Sequence, residues 1–294
     1  MEKIYLVGKN GIFPIAEAAN IDELFKKIVS GETMERGFGT FEVMEARGIV
    51  CFKLNEHLER LLFSLKDCRI KIPYSIKELS LFIANALKNA GLEESIVRLD
   101  VILGEEDKEE PLFLLIKVRS KKPKKPLALK TYKFSRTMPD LKVSGGYVYA
   151  QIRKRMFPDY DDILYVARNE YGNYYFTETS RGNFFVVDKF NTDKHILYGA
   201  KVSENILNGV TRQTLLKLLE ESPGVKLVDS LFTYNLKNIK EAFVASTTKR
   251  IVPVKKIDNV FLDVGEDGKG GFFTRQLSNL FDAYVDEWYR KHVV

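Results

Sequence analysis

Apolar and polar positions group along this chain in patterns that predict alternating strands and helices. In FGTFEVMEARGIVCFKLNEHLERLL, residues 38–62, they read as two strands turning at Arg47–Gly48, then a helix. Leu58, Leu61, Leu62 and Leu65 recur at helical spacing, and Asn55 is the expected N-cap. A second helix is expected over Ile76–Asn89. It is followed by the strand SIVRLDVIL, a polar turn GEEDKEE and the strand PLFLLIKV. Strands, helices, then strands again make a small α+β unit.

The basic, proline-bearing stretch SKKPKKP, Ser120–Pro126, interrupts this pattern and is the best candidate linker. The expected division is a small domain over 1–120, a linker over 121–131 and a larger domain over 132–294; the alternative is a surface loop within one domain. Beyond the linker, ILYVARNEYGNYYFTE predicts a hairpin turning at Tyr171–Gly172–Asn173, and NFFVVD a further strand. A helix is expected over Val210–Glu221, directly after Asn208–Gly209. EAFVASTTKRIVPV reads as strand, polar turn and strand, and Phe273–Tyr289 as a closing helix. No internal repeat or low-complexity segment is visible.

Composition narrows the classes. The 294 residues are 45% hydrophobic and 29% charged, ordinary for a globular protein. No run approaches the roughly 18 apolar residues of a membrane span, and the N-terminus carries no signal-peptide pattern, so a cytoplasmic protein with no membrane partner is expected. Cys51 and Cys68 have no CxxC spacing, and His57, His195 and His292 no HExxH pattern, so no metal site is expected. The net charge of +6 comes from 46 basic and 40 acidic residues spread along the chain. That reads as a mixed, solvated surface, and no nucleic-acid partner is expected.

Walker A, GxSxG and GxGxxG sequences are missing. What remains is dispersed. Lys142 lies in MPDLKVSGGYVYAQ, where Gly145–Gly146 would let backbone approach a ligand; alone, a lysine near glycines is usually a surface lysine. Glu178 ends the strand NYYFTE, where a carboxylate could keep a neighbouring pyridine nitrogen protonated or simply face water. Asn208–Gly209–Val210–Thr211 opens a helix whose free amides could hold phosphate, and Ser246–Thr247–Thr248 is a second small-polar turn. Arg60 points about 200° round the helix from Leu58, so it is either a phosphate fork or a solvated arginine.

The order and spacing of these pieces carry more than any one of them. GFGTFEVMEARGIVCFKLNEHLERLLFSL resembles the N-terminal signature of class IV (fold type IV) aminotransferases, and Lys142–Tyr147 the cofactor-lysine segment of the branched-chain enzymes. TETSRGNFFVV, ILNGVTR and ASTTKRIVPV resemble the family's glutamate strand and two phosphate turns, and Gly268–Thr274 its glycine-rich approach to the closing helix. The resemblance runs from about residue 30 to the C-terminus. It implies an α+β fold of two domains, a small N-terminal α/β domain and a larger, β-barrel-like domain with helices. It also implies pyridoxal 5'-phosphate (PLP) as cofactor, and a homodimer.

Carried over residue by residue, the resemblance makes Lys142 the cofactor-bearing lysine and the acid–base that moves the substrate's α-proton. Glu178 would pair with the ring nitrogen, Tyr147 would lie near the ring hydroxyl and Leu207 on the ring face. Arg60, Val210, Thr211, Ser246 and Thr247 would hold phosphate, and Phe41, Arg98, Thr247 and Thr248 would receive substrate. The implied reaction is amino transfer from an amino acid to a 2-oxo acid such as 2-oxoglutarate.

Within the family the signals divide. D-amino-acid aminotransferases have an arginine where this chain has Leu103. Branched-chain enzymes have Tyr-x-Arg-Pro, of which Arg98 remains while Ile96 and Leu99 replace the tyrosine and proline. Phe41–Glu42–Val43 stands for Phe-Glu-Gly, and Ser246–Thr247–Thr248 is closer to the D-amino-acid type. The favoured expectation is a branched-chain-like L-amino-acid aminotransferase, ahead of aminodeoxychorismate lyase and then a D-amino-acid enzyme. From another class, a non-catalytic cofactor- or nucleic-acid-binding protein would need neither Lys142 nor Glu178.

Overall fold

The computed structural model describes residues 2–8, 11–15, 22, 26, 28, 31–103, 112–189, 195–200, 202, 206–221, 225–229, 236 and 239–292. The expected turn GEEDKEE, residues 104–110, lies outside them. Two compact units divide the chain: Met1–Lys122 with Leu141–Gly145 and Glu287–Val294, and Pro123–Asp140 with Gly146–Asp286.

The first unit is a sheet backed by helices. In chain order it contains β1 (Glu2–Gly8), β2 (Gly11–Pro14), α1 (Glu32–Arg36), β3 (Gly39–Arg47), β4 (Val50–Cys51), α2 (Leu54–Asp67), α3 (Ile76–Ala90), β5 (Glu94–Leu103) and β6 (Leu112–Ser120). The strands run in the order β2-β1-β6-β5-β3-β4, each antiparallel to its neighbour. Side chains alternate across a strand, so Met44 and Ala46 on β3 and Val97, Leu99 and Val101 on β5 share one face. That face joins Leu58, Leu61 and Leu65 of α2 and Leu79, Ile83 and Leu87 of α3 in one core. Ser75 and Glu78 close a capping box at the start of α3, and Gly91, at φ 66°, supplies the left-handed residue that ends it. α2 begins one residue before the expected cap Asn55: Lys53, in left-handed conformation, is the N-cap and offers no side-chain hydrogen bond.

The second unit is built on β7 (Leu127–Lys133), α4 (Val148–Met156), β8 (Asp162–Arg168), β9 (Tyr174–Thr179), β10 (Asn183–Lys189), β11 (His195–Gly199), α5 (Val210–Glu220), β12 (Val225–Asp229), β13 (Glu241–Ser246), β14 (Arg250–Ile257), β15 (Val260–Phe261) and most of α6 (Phe272–His292). The path β10-β13-β14-β7-β8-β9 closes where Asn183 pairs with Glu178. A closed barrel leaves those strands no open edge. The expected linker is irregular only over residues 121–126. Its remainder enters β7, because Leu127, Ala128 and Leu129 are buried between β14 and β8. No helix among the described residues is long and apolar enough to cross a membrane.

Candidate active site

In the first unit, Lys142 is laid beside β3 by the backbone. Its carbonyl accepts from Phe41 N–H at 3.3 Å, its N–H donates to Ser64 Oγ at 3.2 Å, and neighbouring Val143 bridges Thr40. Its Nζ lies 4.8 Å from the centre of the Phe41 ring. Arg98, two residues from Asp100 on β5, stacks its guanidinium 3.9 Å from the same ring centre. Nε of Arg98 donates to Asp100 Oδ1 at 2.8 Å, and Lys117 Nζ lies 3.2 Å from the other carboxylate oxygen. Phe41, Arg98 and Lys142 are therefore brought together around one aromatic ring.

Arg60 is placed differently from a solvated helix arginine. Beside the apolar stripe of α2 runs a polar ridge, His57, Arg60 and Ser64, at spacings of three and four. The Arg60 arm folds along it to fork the buried Glu42 carboxylate, Nε to Oε1 and Nη2 to Oε2, each at 2.7 Å. His57 Nδ1 is 2.9 Å from Oε2. Burial alone would raise the Glu42 pKa, but the Arg60 charge and the hydrogen bonds from His57 and Arg60 outweigh it and hold the carboxyl well below its usual range. For His57 burial dominates, with help from the Arg60 and Lys142 charges, and pushes the imidazole pKa down despite Glu42.

In the second unit, the turn from β9 to β10 sets Glu178 and Asn183 opposite each other. Glu178 Oε2 accepts from Leu207 N–H at 3.0 Å and from Asn183 Nδ2 at 3.4 Å, while Asn183 also donates to Leu207 carbonyl at 2.9 Å. Arg136 holds the other oxygen, Oε1, through Nε at 3.1 Å and Nη2 at 2.9 Å. The Arg136 guanidinium also lies 5.1 Å from the centre of the Tyr147 ring. Gly209 caps α5 without a side chain; a Cβ there would fall 2.2 Å from Asn183 Oδ1, so the helix start must be bare to reach this depth. Val210 and Thr211 follow, both buried. Ser246, Thr247 and Thr248 are half-buried at the turn from β13 to β14.

Glu178, Leu207 and, through Arg136, Tyr147 are thus gathered into one cluster. Neither Val210 and Thr211 nor the 246–248 turn shares a hydrogen bond with Glu178 or Arg136 among the described residues. Sequence reasoning gave no role to Arg136, Glu42 or His57. The second and third sit inside the recognised Phe-Glu and His-Leu-x-Arg motifs, whereas nothing in SRTMPDLK sets Arg136 apart.

The first unit thus offers an amine, Lys142, and a forked guanidinium, Arg60, and the second a buried, hydrogen-bonded carboxylate, Glu178, and a glycine-capped helix start. The chain belongs to the class IV aminotransferase family, whose model matches residues 39–257. PLP is the cofactor of this family, and amino and 2-oxo acids are its substrates. A D-alanine aminotransferase of Staphylococcus epidermidis is 23% identical over 302 aligned positions, covering 97% of this chain and 98% of that protein. A putative branched-chain-amino-acid aminotransferase of Methanocaldococcus jannaschii is 26% identical over 308 positions, covering 97% of each. Among solved structures, the branched-chain aminotransferase of Thermoproteus uzoniensis with norvaline aligns with TM-score 0.78 at 23% identity, over 96% of this chain and 94% of that one. The fold is that of these fold type IV enzymes.

Proposed function

We propose that the protein transfers the amino group of a branched-chain-like L-amino acid to a 2-oxo acid such as 2-oxoglutarate, with Lys142 bearing PLP. The observation that carries this reading is the shared Phe41 ring, with the Arg98 guanidinium 3.9 Å and Lys142 Nζ 4.8 Å from its centre. Arg98 is the residue retained from the branched-chain pattern, and the ring joins it to the cofactor lysine. Phe41 and Arg98 would then line the substrate side, with the amides of Thr247 and Thr248 receiving carboxylate.

The donor set fits PLP. A buried carboxylate, Glu178, suits a protonated ring nitrogen, and a glycine-capped helix start suits a phosphate. Bound PLP supplies an electron sink for the charge left at the donor's Cα. Lys142 Nζ, as a free amine once the donor has displaced it, would take the donor's α-proton and later give a proton back, acting as base and then acid. Glu178 would keep a proton on the ring nitrogen, and by the family resemblance Tyr147 would serve the ring hydroxyl and Leu207 a ring face. By the family resemblance, Arg60, oriented by Glu42 in the first unit, would be a phosphate ligand, as would the amides of Val210 and Thr211 and the hydroxyls of Ser246 and Thr247 in the second.

The reading extends to a cytoplasmic homodimer. Free Cys51 and Cys68 suit a reducing compartment. Val148, Tyr149, Ile152 and Met156 form an exposed apolar stripe along α4, which suits a contact with a second copy. A D-amino-acid donor is the second reading, favoured by the D-alanine aminotransferase relatives.

A donor screen tests the choice. L-Leucine and L-valine are expected to yield glutamate from 2-oxoglutarate faster than D-alanine does. A faster D-alanine reaction establishes the second reading, and pyruvate released from aminodeoxychorismate without an acceptor establishes a lyase.

A further inference from the structure

We propose that Arg136 is a positioning residue of this site: it holds Glu178 as an oriented anion and competes with the ring nitrogen for that anion's charge. The inference rests on the reading of Glu178 as the ring-nitrogen partner.

The geometry is specific to that task. Arg136 lies six residues before Lys142 and is buried, as is Glu178. Nε and Nη2 both converge on Oε1, at 3.1 and 2.9 Å, so one carboxylate oxygen is committed to the cation. Oε2 is committed to the other side, where Leu207 N–H lies 3.0 Å away and Asn183 Nδ2 3.4 Å away. Nη2 is itself anchored on the Pro139 carbonyl. The carboxylate therefore cannot rotate without breaking bonds on both sides, and its plane is set before any ligand arrives.

The same guanidinium lies 5.1 Å from the Tyr147 ring centre, so one side chain braces both residues assigned to the polar edge of the cofactor ring. Beside Glu178 and Tyr147, the titratable group acting on Arg136 is Tyr165 on β8, buried with no hydroxyl partner among the described residues. Burial raises the Tyr165 pKa, so it stays neutral. Arg136 is the cation that offsets Glu178, and the Glu178 charge raises the Arg136 pKa against the opposing effect of burial.

A buried carboxylate without this cation would hold a neighbouring pyridinium proton more tightly, because its whole negative charge would fall on the ring. Arg136 draws part of that charge away. It thereby keeps Glu178 ionised while moderating the ring nitrogen's basicity.

The test uses the holoenzyme loaded with PLP labelled with nitrogen-15 in the ring, whose chemical shift reports the ring proton directly across pH. In Arg136→Met the half-point of deprotonation should move up by about one pH unit, a tenfold gain in proton affinity. Arg136→Lys keeps the charge but loses the fork, so its half-point should fall between wild type and Arg136→Met. Should Arg136→Met not fold, a displaced Arg136→Lys curve still carries the proposal. Arg136 curves that superimpose on wild type overturn it. Glu178→Gln separates the two claims: a ring-nitrogen signal unchanged in that variant sinks the Glu178 assignment itself. A signal changed in Glu178→Gln but not in the Arg136 variants sinks only the role of Arg136.

Discussion

Two guanidinium–carboxylate pairs with buried carboxylates, one in each unit, look alike and, under the proposed function, serve opposite ends. In the first unit Glu42 is fully enclosed, and it bonds to Arg60, His57 and the adjacent Val43 N–H. There the carboxylate is the holder and the guanidinium the group presented. In the second unit the carboxylate is presented and Arg136 holds it, helped by Leu207 N–H and Asn183. A forked ion pair fixes direction in either case.

Removing a holder should do the most damage. Glu42→Ala leaves Arg60 without its buried counter-charge and is expected to cost about 3–5 kcal/mol in urea unfolding, much of it recovered in Glu42→Ala/Arg60→Met. A cost below about 1 kcal/mol would mean that Glu42 does not hold Arg60. In the second unit, Gly209→Ala drives a methyl group onto Asn183 Oδ1, a predicted overlap at 2.2 Å. It should cost about 1–3 kcal/mol and weaken PLP retention in equilibrium dialysis.

Acid should expose the first pair in two stages. His57 is buried with its pKa below the ordinary 6.5, so the unfolded chain binds its proton first and stability falls as pH drops below about 6.5. Glu42 has its pKa below the ordinary 4.5, so its contribution, present above that value, is lost on further acidification. Melting temperature against pH should therefore lose its upper stage in His57→Gln while the lower stage remains. An unchanged profile would remove His57 from the account. The smallest effect on folding is expected far from both pairs. Ile152→Asp on the exposed face of α4 should leave protomer stability within about 0.5 kcal/mol while shifting sedimentation from dimer to monomer.

The same contrast explains what could be read from the chain. β3, α2, α3 and β5 bury regular stripes, so periodicity located them to within a residue or two. α4 was not anticipated, although Val148, Tyr149, Ile152 and Met156 recur at helical spacing; they face outward, and Ala150 is the buried residue of that helix. β7 was hidden behind its basic, proline-rich approach. Arg60 and Glu42 lie in motifs recognisable as units, 18 residues apart, whereas Arg136 and Glu178 meet across 42 residues. No local pattern encodes a pairing of that kind, because only the pairing of β7 with β8 and of β8 with β9 brings its members together.

The central claim is that Lys142 bears the cofactor, and one measurement addresses it directly. The PLP-loaded protein, reduced with borohydride and cleaved, should carry the pyridoxyl mass on the peptide containing Lys142. Lys142→Ala should lack both that adduct and the violet absorption band of the unreduced protein. A label on any other lysine, or a band that survives the substitution, would contradict the account.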